Sequence, residues 1–78
     1  MGKSLRSKAH VALIGELKKA RLDAGLSQQQ VAERLGQPQS YVAKIELGER
    51  RVDVVEFLQL TAVLGASWNA ILKRVIAE

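Results

Sequence analysis

The chain has 78 residues, 47% of them hydrophobic and 26% charged, a balance that fits one ordinary folded domain and excludes a disordered segment. It holds no cysteine and a single histidine, which rules out disulfides and thiolate metal sites and argues against a metal or acid–base centre. No apolar run approaches the roughly 18–20 residues of a membrane span, and a net charge of +4 is compatible with a polyanionic partner.

Tyr41, Phe57 and Trp68 are the whole aromatic supply, so the core must be aliphatic. A chain this short buries only about 60% of its unfolded surface, and oligomerisation is one expected source of extra stability. Lys3, Arg6 and Lys8 crowd the start. The apolar run that follows them is too short, and too charged on its far side, for a signal peptide. The expected location is therefore the cytoplasm.

Five helical patterns follow, with no strand-like alternation, predicting an all-α, compact five-helix bundle forming a single domain over 1–78. The first covers about Lys8 to Ala24, with Ile14, Leu17, Arg21 and Ala24 on one side and Gly25 as its stop. Ser27 and Gln30 then make a capping box for a second helix that ends at Gly36. Pro38 suits the first turn of a third helix, which runs to about Leu47 and stops at Gly48. A polar loop, Glu49 to Arg51, leads to Asp53 and Glu56, a second capping box. Val54, Leu58 and Val63 or Leu64 are expected to be the buried side of the fourth helix, with Gly65 as its end. Ser67 caps a fifth helix at about 67–77, where Trp68, Ile71, Leu72, Val75 and Ile76 form a regular apolar stripe. That stripe either closes the core or pairs with a symmetry mate, and Trp68 is expected to be a core or interface anchor.

The stretch 28–47, QQQVAERLGQPQSYVAKIEL, carries the functional signal. Val31, Leu35 and Ile45 would seal the inner faces of two short helices crossing at Gly36, the arrangement of a helix-turn-helix whose second helix enters the DNA major groove. On a helical wheel Pro38, Val42 and Ile45 point inward, while Gln39, Ser40, Ala43, Lys44 and Leu47 point outward. Gln39 could pair with adenine, Lys44 with guanine and Ala43 with a thymine methyl, and Ser40 could meet a base or a phosphate. Ser27 and the free amides beside it suit a phosphate. Gln37, Arg50 and Arg51 are placed in the same DNA-contacting set. Tyr41 could pack while its hydroxyl reaches a phosphate, or serve the core alone.

From Leu17 to Leu72 the chain resembles the Cro and phage-repressor type of helix-turn-helix domain, the XRE family. Arg21, Gly25, Leu26, Ser27, Gln28, Val31, Ala32, Leu35, Gly36, Gln39, Ser40, Tyr41, Ile45, Glu46, Gly48, Glu49 and Arg50 carry the match. The resemblance implies a lambda-repressor-like fold that binds a pseudo-palindromic double-stranded DNA operator, usually as a homodimer. It implies that Gln28 holds a phosphate while touching Gln39. It also implies an ion pair between Arg21, inward-facing and costly unless paired, and Glu46. Leu47 and Ala43 depart from the residues that family members often carry on the DNA side. The expected role is a transcriptional regulator, a repressor or autoregulator, located on the nucleoid when bound. A restriction–modification controller, an antitoxin of a toxin–antitoxin pair, or a protein-interaction adaptor on the same fold are the alternatives. No enzyme motif, cofactor, metal or small-molecule ligand, and no membrane partner, is expected.

Overall fold

The structure, a computed structural model, describes residues 7–77, so Lys3 and Arg6 lie outside the described residues. Five helices follow one another: α1 (Lys8–Asp23), α2 (Gln28–Leu35), α3 (Gln39–Glu46), α4 (Val54–Leu64) and α5 (Trp68–Ala77). The starts of α1, α2, α4 and α5 are set by side chains that satisfy free backbone amides, whereas α3 begins without a side-chain cap. Ser27 accepts from the Gln30 amide at 3.0 Å while the Gln30 side chain accepts from the Ser27 amide at 2.8 Å. Asp53 and Glu56 make the same reciprocal pair at 2.7 and 3.1 Å, and the Ser67 hydroxyl accepts from the Ala70 amide at 3.1 Å. Such caps contribute about 0.5–2 kcal/mol each.

The turn between α2 and α3 depends on Gly36 at φ 69°, a left-handed conformation costly for any residue with a Cβ. The Gln37 amide then donates back to the Ala32 carbonyl, and the backbone becomes extended. Pro38 lies at the N-cap of α3, with ψ 156°, rather than inside its first turn. After the reversal the chain needs an extended residue to re-enter a helix, and the fixed φ of proline serves that conformation equally well.

Nine apolar side chains form the core: Leu17, Val31, Ala32, Val42, Ile45, Phe57, Leu60, Leu64 and Ile71. Burial of each larger one stabilises the fold by roughly 1.5–3 kcal/mol. Ala32, with only a methyl, is fully buried in this core on α2. Leu35 packs at the edge of this cluster.

Four expectations about buried faces need correction. Ala24 is exposed, because α1 ends at Asp23 and Ala24 is its C-cap. The inner face of α4 is Phe57, Leu60, Thr61 and Leu64, whereas Val54 is 74% and Leu58 44% exposed. This helix is apolar nearly all round, so its pattern had no polar side to orient it. Pro38, expected on the inward side of α3, is exposed at its N-cap, where the chain has not yet entered the helix. On α5, whose stripe was expected either to close the core or to pair with a second copy, only Ile71 is fully buried and Trp68 is half exposed. The stripe is wider than the strip of core it covers. Among the described residues no single helix is long and apolar enough to cross a membrane.

Candidate nucleic-acid interface

The outward side of α3 presents Gln39, Ser40, Lys44 and, at its C-cap, Leu47, all exposed; Ala43 is half-buried beside them. Ser27 and Gln37 are exposed at the start of α2 and in the turn, and Gln28 is half-buried between α2 and α3.

Behind this face runs a relay of hydrogen bonds. The Gln39 side-chain amide donates to Gln28 Oε1 at 2.7 Å, and Gln28 Nε2 donates to Glu46 Oε1 at 2.9 Å. Arg21 grips the same carboxylate twice, Nε to Oε2 at 2.7 Å and Nη2 to Oε1 at 3.0 Å, and its Nη1 donates to the Leu26 carbonyl at 2.9 Å. Arg21 and Glu46 side chains are only 10% and 7% exposed, and a bidentate pair with its remaining groups bonded is the form in which buried charges are tolerated.

The relay has one consistent direction. An ionised carboxylate only accepts, so Gln28 must offer Glu46 its NH₂ group and therefore its oxygen to Gln39. Gln39 must in turn offer its own NH₂ to Gln28. This leaves one Gln39 N–H and its Oε1 for an outside partner, the donor and acceptor that adenine N7 and N6 require.

Arg50 does not extend from the interface. Its Nη1 and Nη2 bond the two oxygens of Glu56 at 3.0 and 2.8 Å, Nη1 also donates to the Arg51 carbonyl at 2.8 Å, and its Cζ lies 4.5 Å from the Tyr41 ring centroid. The Tyr41 hydroxyl lies close enough to the same carboxylate to feel its charge. Glu56 is pulled down to about 2 by the Arg50 guanidinium and then by the Asp53 backbone amide. Burial, followed by the Glu56 charge, pushes Tyr41 up, and the hydrogen bonds to Glu56 raise Arg50. Arg51 is exposed in the same loop.

With this geometry in place, residues 17–71 match the helix-turn-helix family. The chain belongs to the XRE-type helix-turn-helix family. DNA binding in transcription regulation is the general function that membership carries. An XRE-family like protein from Pseudomonas syringae pv. tomato str. DC3000 is similar at 40% identity, with a TM-score of 0.87 over 96% of this chain and 92% of that one. The clp gene regulator ClgR from C. glutamicum is similar at 25% identity, with a TM-score of 0.79 over 88% of this chain and 90% of that one. A variant of a restriction–modification controller protein shares the fold at 21% identity, with a TM-score of 0.81 over 92% of this chain and all of that one. No curated protein gives a significant sequence match.

Two features of this XRE-type domain escaped the sequence. The Tyr41, Arg50 and Glu56 cluster was hidden because Glu56 already had a role in the capping box, and a loop arginine carries no periodicity that would aim it. The second is an apolar groove of about 400 Å³ in which Val54, Leu58 and Trp68 flank Leu13, Phe57 and Leu72. Of the five α5 residues expected at a dimer contact, Ile71 is 1% exposed and committed to the core, while Trp68 and Ile76 remain accessible. Leu72 and Val75 lie half-buried between these extremes.

Proposed function

We propose that this XRE-type regulator binds a pseudo-palindromic operator as a homodimer in the cytoplasm, acting as a repressor or autoregulator, with α3 in the major groove. The relay from Arg21 through Glu46 and Gln28 to Gln39 carries this reading, because it orients a base-reading amide before any DNA arrives. Gln39 reads adenine, Lys44 donates to guanine O6 or N7, Ala43 touches a thymine methyl and Ser40 bonds a base or phosphate. Ser27, Gln28 and the free amides of α2 hold a phosphate, helped by the partial positive charge of the helix N-terminus, with Gln37 and Arg51 on neighbouring phosphates.

A second copy is supported by the exposed apolar face of Val54, Val55, Leu58 and Trp68. The body measures 30 × 25 × 20 Å. Each body is shorter in every direction than the roughly 34–36 Å between successive major grooves, so two copies fit on neighbouring grooves of one duplex face.

Selection from a random pool of duplexes at fixed salt tests the reading. The expected product is one two-fold-related sequence, with Gln39→Ala weakening it by about 1–3 kcal/mol and leaving binding to unrelated duplex unchanged. Recovery of no preferred sequence defeats the proposal. Unchanged DNA affinity in Gln39→Ala, together with a lost protein complex, assigns the fold to an adaptor.

A further inference from the structure

We propose that Arg50 is a positioning residue: with Tyr41 and Glu56 it latches the reading helix to α4 and so sets how α3 lies in the groove. This rests on the DNA-binding reading above. α3 has eight residues, far below the roughly 12–15 at which an isolated helix begins to hold itself. Its orientation must come from outside. The first and last residues of α3, Gln39 and Glu46, are tied to α1 and α2 through Arg21 and Gln28. Toward α4 the situation differs. α3 packs on α1 and α2 but has no extended helix-to-helix packing with α4, and the two are joined by the loop from Gly48 to Val52. The polar cluster spans that gap, with Tyr41 supplied by α3, Arg50 by the loop and Glu56 by the first turn of α4.

The chemistry keeps Arg50 where it is. The Glu56 carboxylate accepts both Arg50 nitrogens and the Asp53 amide, three of the roughly four lone-pair sites a carboxylate has. Moving Arg50 to a DNA phosphate would undo a bidentate pair and a stack on the Tyr41 face. It would also leave an uncompensated carboxylate beside the DNA. A lysine could not replace it, since an ammonium is a point charge without the planar fork.

The duplex recovered by selection and a scrambled duplex of equal length are titrated with the intact protein across a salt series, for wild type, Arg50→Lys, Arg50→Ala, Glu56→Gln and Tyr41→Leu. Gln is itself a capping-box residue, so Glu56→Gln keeps the α4 cap while removing the carboxylate charge. Each variant should lose roughly tenfold in affinity for the selected duplex, about 1.4 kcal/mol, with unchanged affinity for the scrambled one. The dependence of log K on log salt should stay as in wild type. Circular dichroism melting checks that each variant is folded, and Tyr41→Leu, which removes the ring under the guanidinium and leaves every charge in place, remains informative should another fail to fold. A phosphate-binding Arg50 behaves differently: Arg50→Lys retains affinity, Glu56→Gln releases the arginine and tightens both duplexes, and Arg50→Ala lowers the salt slope by about 0.9. Any of these results overturns the inference while leaving the DNA-binding reading intact. Loss of preference in wild type itself defeats that reading instead.

Discussion

Arg21 and Glu46 illustrate how one buried pair can serve both stability and recognition. Replacing Glu46 with Gln strands the guanidinium, and the expected loss is about 3–5 kcal/mol, measured as a lower urea midpoint. The double variant Arg21→Met with Glu46→Leu should recover much of that stability, since apolar groups of similar volume can replace a buried pair. It should still bind the operator poorly, because Gln28 no longer has a carboxylate to orient it. Glu56 contributes a pH dependence of its own. Its folded pKa of about 2 lies below that of an unfolded glutamate, so its stabilisation is complete above the unfolded value and is lost as pH falls toward 2. In melting experiments the gap between wild type and Glu56→Gln should therefore be constant near neutrality and narrow steadily below about pH 4.3.

At the scale of the helices, the capped starts of α2 and α4 were readable because each is a local contract between a side chain and a backbone amide three residues on. Ser27 with Gln30 and Asp53 with Glu56 needed no knowledge of the fold. Gly36 is the same kind of signal, and a Cβ built there meets nothing within 4 Å. The penalty for Gly36→Ala is then conformational, about 1–2 kcal/mol. It should appear as a drop in melting temperature of several degrees, with little change in the core. The rotation of α4 was not readable. Its valines and leucines surround the helix, and only packing against α1, α2 and α5 selects Phe57, Leu60, Thr61 and Leu64 as the inner face.

The whole molecule leaves Val54, Val55, Leu58 and Trp68 on its surface. If a second copy covers them, Leu58→Arg should shift sedimentation equilibrium toward monomer and reduce operator affinity while helical content stays native. A wild-type protein that is monomeric at micromolar concentration and on DNA would refute the dimer. Helix count, caps, turns and the outward residues of α3 could all be derived from the chain, because they depend on neighbours within a few positions. The amide relay behind Gln39, the diversion of Arg50 to Glu56 and the exposed side of α4 could not. Each of these joins groups between 6 and 25 positions apart or on separate helices, and such contacts exist only once packing has set the helices' rotations and distances.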